Sequence, residues 1–232
     1  MANNFKNAVV RNISADSTLP TVIYSVPDTK KSIAIELDVA NKGSAGVNVT
    51  VQIEDESQNE TKNQAGTVQN VDAHSISAVN TDASGANAGK LTTTSSAAHN
   101  LIVNDRVLFN FSGAPSFTNA SLPPSGDAAL SASKFYYVQS IPSTSTFTIA
   151  ETKSAASALT FDGAGTGVEF KKIHLADVVK DAPIPVGGTL KVISGQKLVL
   201  ESAVASANDK LYAYCTSAND VDAIASVLED VS

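Results

Sequence analysis

The chain has 232 residues, 43% of them hydrophobic, one cysteine and a formal net charge of −7. That length builds one large domain or two small ones around a real core, and the composition excludes disorder throughout. The lone Cys215 excludes internal disulfides, and no apolar run approaches the roughly 20 residues of a membrane-spanning helix.

The cations are scattered, adjacent only at Lys30-Lys31 and Lys171-Lys172. A protein that neutralises phosphates needs a concentrated positive face, so nucleic-acid binding is not expected. The N-terminus, MANNFKNAVVRN, carries no apolar segment behind its charges, and the expectation is folding in a cytoplasm without membrane contact. Sequons such as those at Asn12, Asn48, Asn59 and Asn119 then follow from Asn-, Ser- and Thr-rich composition alone.

Strand patterns dominate from the start. FKNAVVRNIS and TVIYSVPD read as strands, the second stopped by Pro27. SIAIELDVAN sets Ile33, Ile35, Leu37 and Val39 on one face, and VNVTVQIED sets Val47, Val49, Val51 and Ile53 against Asn48, Thr50, Gln52 and Glu54. Period-two alternation predicts sheets with one buried and one wetted face, and Gly43 and Gly46 allow the reversal between these two strands. The stretch DESQNETKNQAGTVQNVDAHS is polar and weakly patterned. Strands resume with KLTTTSS, NDRVLFNF, KFYYVQSI and TFTIAET, interrupted by a long Pro/Gly/Ser loop between Gly113 and Ser133. The last third offers GGTLKVISG and QKLVLES as paired strands around Gly195, then DKLYAYCTS and DVDAIASVLED. Long amphipathic helical windows are absent, so the class is all-β.

The segments before about Asp72 and after about Phe170 share one cleanly alternating style. Each supplies about four strands, too few for a two-layer sandwich, whereas together they suffice. The predicted organisation is a discontinuous β-sandwich, jelly-roll or Ig-like, formed by 1–72 and 170–232, with 73–169 as an inserted all-β module. Such an insertion is cheap when its two junctions are close in space.

Several polar groupings could in principle carry chemistry. His99 and Asp105 could pair as acid and base, but Asn104-Asp105 sits where a turn precedes RVLFNF, and His99-Asn100 ends the strand before it. His74 and His174 have no ligand-forming neighbours in sequence, so no zinc site is expected. Glu54, Asp55, Glu56 and Glu60 lack the alternation of a calcium loop. Gly163, Gly165 and Gly167 in FDGAGTG precede a strand where a phosphate site needs a helix, so a bend is expected. Tyr136, Tyr137, Tyr212 and Tyr214 could form a sugar platform if exposed, although adjacent Tyr136 and Tyr137 face opposite ways. Cys215 reads as a small core residue. No catalytic residue, cofactor or metal site is expected.

Two regions resemble known proteins. Tyr24 to Pro27, the turn Pro185 to Gly187, Lys197 to Glu201 and Ser226 to Glu229 resemble small β-sandwich virion structural proteins of contractile-tailed phages that infect cyanobacteria. Ala203 to Asp209 departs from that pattern, which has a tight turn there. The middle resembles a β module of phage tail and capsid-surface proteins, through His99, Asp105, Arg106, Val107, Tyr136, Tyr137, Val138, Thr146, Phe147, Thr148 and Ile149. In that module the His and Asp frame a hairpin. The resemblance implies a non-enzymatic virion component made in the host cytoplasm. Its favoured place is a multi-copy decoration on the head, and its partners are the major capsid protein or other virion proteins and further copies of itself. A neck, tail or baseplate accessory, or a receptor- or glycan-binding module using the Phe117 to Ser133 loop, are the alternatives.

Overall fold

The computed structural model describes residues 4–56, 61–62, 68–69, 74–94, 99, 101–118, 127–202 and 208–230. Glu60, Asn59, Asn100 and Asn119, most of the loop between Phe117 and Ser133, and most of Ala203 to Asp209 lie outside them. The described residues are all-β, with every strand pairing antiparallel. The chain divides into two compact units, Met1–Gln58 with His174–Ser232, and Asn59–Ile173.

The first unit contains β1 (Asn4–Val10), β2 (Thr21–Ser25), β3 (Lys31–Asn41) and β4 (Val47–Glu54). The second runs from β5 (Thr61–Lys62), β6 (Val68–Gln69) and β7 (His74–Val79) through β8 (Leu91–Thr93), β9 (Arg106–Asn110), β10 (Ser116–Thr118) and β11 (Asp127–Ala129). It ends with β12 (Tyr136–Ser143), β13 (Thr146–Ala150), β14 (Phe161–Gly163) and β15 (Glu169–Ile173). The chain then returns to the first unit in β16 (Leu175–Ile184), β17 (Thr189–Ile193), β18 (Leu198–Glu201), β19 (Lys210–Cys215) and β20 (Val221–Glu229).

In the first unit one sheet runs β1-β20-β3, with β17 and β18 taking successive stretches of the far edge of β3; the other runs β16-β4-β19-β2. With β17 and β18 counted as one interrupted strand, successive strands switch sheets except at β4 to β16, and the first and last strands are neighbours. This is the double Greek-key order of a jelly roll, which decides between the two sandwich topologies expected. Both sheets share one core of small aliphatic side chains, including Ala34, Leu37, Val49, Val51, Leu200, Leu211, Ala223, Ala225 and Val227.

The structure departs from the strand pattern at three places. Ile33 is only half-buried, because the ladder to β20 skips a residue: Ser226 faces Glu36 but Val227 faces Ala34. The bulge reverses the facing of the strand upstream, so Ser32 and Ala34 point inward and Ile33 outward. β17 and β18 do not pair with each other; each pairs with β3. On β4, Thr50, Gln52 and Glu54 are buried, not wetted, because partners on β16 and β19 meet them.

In the second unit six strands close into a barrel in the order β12-β13-β8-β7-β15-β9, beside a three-stranded sheet β11-β10-β14. A barrel this narrow must be filled by side chains. Seven of the eight phenylalanines fall within this unit, and Phe109, Phe117, Phe147, Phe161 and Phe170 belong to its core with Tyr136. Phe170 packs on Phe147 with ring centroids 4.8 Å apart. β15 therefore belongs to the barrel, and the boundaries fall at 58/59 and 173/174 instead of near 72 and 170.

The sandwich brings the strands that flank the insertion together. Leu175 on β16 lies opposite Glu54 on β4, and in the barrel Phe170 lies opposite His74. The insertion thus occupies the place of a hairpin loop.

Candidate functional site

Several of the residues singled out for chemistry hold turns and strand ends. His99 is buried, outside any strand, since β8 ends at Thr93. Its Nδ1 accepts the Leu101 N–H at 3.1 Å, which leaves the proton on Nε2. Nε2 donates toward the carbonyls of Ser143 at 3.1 Å and Thr146 at 3.3 Å, the two ends of the β12–β13 turn. The ring also stands edge-on to Phe147. Asp105 has other partners: its Oδ2 accepts the Ile102 N–H at 2.8 Å and meets Lys172 Nζ at 2.7 Å. Asn104 adopts a left-handed φ of 72° and binds the Val138 carbonyl, closing the turn that starts β9. His99 and Asp105 each hold a separate turn.

His74 stacks on Phe170, and its Nε2 is buried without a hydrogen-bond partner. Burial, and secondly the charge of His99, push its pKa down. His174 is exposed between β15 and β16. Among the described residues, no three of His, Cys, Asp and Glu converge in an arrangement that could hold a metal. Of the acidic run, Glu54 accepts from Tyr212 at 2.6 Å and Lys210 at 3.3 Å, while the Glu56 N–H donates to Asp209. Asp209 also accepts the Glu201 N–H, and burial raises its pKa despite both donors.

In the glycine-rich stretch, Gly165 has a φ of +67°, and a Cβ there would stand 2.6 Å from the Gly113 carbonyl oxygen. Thr166 and Gly113 exchange backbone hydrogen bonds across that contact. The glycine allows two backbones to meet. Of the four tyrosines, Tyr136, Tyr137 and Tyr212 are buried, so they form no platform. Cys215 is buried, donates its S–H to the Ser217 carbonyl, and has its pKa raised by burial.

Sequence reasoning missed two polar nodes. Asn41, buried, donates to the carbonyls of Ala45, Ile184 and Pro185 and accepts from the Gly43 N–H, tying the β3–β4 turn to the end of β16. Tyr24 donates to Glu229 at 2.9 Å and contacts Ser32 at 2.8 Å. Both depend on register across strands distant in sequence, which no local pattern reports.

Among the described residues, several exposed apolar side chains line up on the outward face of the five-stranded sheet, while others such as Leu19, Ile102 and Val186 are exposed elsewhere. Phe5, Leu228, Ile33 and Val199 stand directly opposite one another across β1, β20, β3 and β18. Phe5, the sandwich's only phenylalanine, is 72% exposed, and Val199 is 52% exposed. Val9 and Ile224, opposite each other four residues along, are exposed too. A continuous apolar row on a sheet face is a surface suited to another macromolecule.

These features define a jelly-roll sandwich carrying a phenylalanine-filled barrel as its β4–β16 loop. The chain matches no protein-family model, no curated protein and no solved structure.

Proposed function

We propose that this chain is a non-enzymatic structural protein of a phage particle, bound in many copies to the outer surface of the head. The observation that carries this reading is the contrast between its polar and apolar groups. The polar residues that chemistry would use hold turns and strand ends, while the outward face of one sheet displays an apolar row. Jelly rolls recur in viral capsid proteins, and the motif resemblance of both segments to tailed-phage proteins narrows the setting. Docking by such a face makes each contact modest and lets repetition on a lattice supply the avidity. The partner under this reading is the major capsid protein or another virion protein.

Electron microscopy of particles from the phage that encodes the chain, labelled with an antibody against it, tests the proposal. Label over the whole head supports decoration. Label confined to the neck, tail or baseplate replaces it with the accessory role, and particles without label overturn it. Saturable binding to host-surface glycans, competed by free sugar, would instead favour a receptor-binding module.

A further inference from the structure

The sandwich has four sheet edges, and three are defended against strand addition. β16 carries two register shifts and Pro183. β2 is five residues long between Pro20 and Pro27. The edge on β3 is split between two short strands, with a shift between Lys191 and Ile193. Bulges, prolines and short strands are the usual means of preventing edge-to-edge pairing.

β1 has none of these; its one charge, Lys6, is drawn into an ion pair with Glu229 on the neighbouring strand. Its seven residues pair with β20 in unbroken register, and among the described residues its other side pairs with nothing. It contains no proline or glycine, and Phe5 and Val9 project from it on the outward face.

We infer that β1 is the self-association edge of the protein, pairing antiparallel with β1 of a second copy about a two-fold axis at Asn7. The register follows from the sequence of the strand. A two-fold at Asn7 sets Phe5 opposite the second copy's Val9, and Val9 opposite its Phe5, so both exposed apolar side chains gain apolar neighbours. It also sets Lys6 opposite Ala8. Moving the axis to Lys6 would oppose two lysines, and moving it to Ala8 would oppose Phe5 to Arg11. Charge favours the same choice, because Lys6 is already ion-paired within its own sheet to Glu229 at 3.2 Å. The apolar row from Val199 to Phe5 then continues into the second copy. This inference stands apart from the particle proposal, since it concerns the free protein.

Sedimentation of the purified full chain tests it, at concentrations up to about 100 µM, where an edge pairing of modest size is populated. The wild type is expected to form two-chain particles. Phe5→Lys with Val9→Lys opposes lysines at both positions and is expected to weaken association at least tenfold, with a melting temperature unchanged when both proteins are diluted to single chains, because both side chains are exposed. Phe5→Lys with Val9→Glu sets each lysine opposite a glutamate and is expected to restore association, which selects this register. A wild-type chain that stays single overturns the inference and assigns the edge to a different partner. An assembly that the lysine pair leaves intact, or that the Lys/Glu pair fails to restore, overturns it as well.

Discussion

The Tyr212 hydroxyl donates to Glu54 Oε2 at 2.6 Å, with both side chains buried on the sheet face that the β4 pattern assigns to water. Lys210 adds its ammonium at 3.3 Å, so the carboxylate is compensated. Removing the phenol leaves a buried acceptor short of a donor, and Tyr212→Phe is expected to cost about 1–3 kcal/mol. Glu54→Ala strands Tyr212 and Lys210 together and should cost more than Glu54→Gln. Chemical denaturation of the three variants checks the order.

The same burial raises the phenolic pKa of Tyr212, with Glu54 adding to the shift; burial likewise raises Tyr24 and Tyr136. A folded phenol that resists ionisation contributes no pH dependence below the ordinary value near 10, and stability is lost as pH rises through it. Absorbance titration is expected to show these three tyrosines ionising only together with unfolding. Ionisation of all five before loss of the β signal in circular dichroism would contradict this.

His74 gives the barrel an acid-sensitive element. Its pKa is lowered in the fold, so between that value and about 6.5 the unfolded chain binds the extra proton. Its stabilising contribution is complete above about pH 6.5 and falls as the pH drops below. Melting temperature is expected to decline on acidification through this range, and His74→Phe, which can still stack on Phe170, should flatten that decline.

His99 and Asp105 separate by magnitude. His99→Ala empties a site beside Phe147 and strands the Leu101 N–H, a loss of about 2–4 kcal/mol. Asp105→Asn keeps acceptors for both Ile102 and Lys172 and loses only the charge of a largely buried pair, a loss of about 1–2 kcal/mol. Equal effects in thermal denaturation would point to a shared role that the hydrogen bonds do not support.

The β framework was legible because alternation of apolar and polar residues is a direct image of a half-buried sheet. Ile33 defeats that image: one extra residue reverses the facing of the strand, and an Ile-Ala-Ile run carries no mark of where the bulge will fall. Thr50, Gln52 and Glu54 defeat it differently, since their burial depends on Asp181, Asp177 and Tyr212, more than a hundred residues downstream. His99 was readable as a structural residue from its turn context. The carbonyls it binds, on a turn yet to be made further along the chain, were not. The apolar row is invisible in one dimension, because its four members come from both ends of the sequence.

The neighbouring positions of Glu54 and Leu175 permit a direct excision. Replacing Asn59–Ile173 with a short Gly/Ser link leaves the ladder of β4 and β16 intact. The product is expected to unfold cooperatively, with a smaller denaturant m-value in proportion to the surface removed. A molten product, with β signal but no cooperative transition, would show that the sandwich core is insufficient alone.

The position of the barrel also bears on the order of events as the chain leaves the ribosome. β16 to β20 cannot find their partners until the whole of Asn59–Ile173 has been made, and closing so long a loose loop is entropically unfavourable. A barrel that folds first sets His74 beside Phe170 and so shortens the loose loop that β16 must close to reach β4. The guest thereby acts as a folding clasp for its host, and a variant that weakens only the barrel should slow the assembly of a sandwich it leaves chemically untouched.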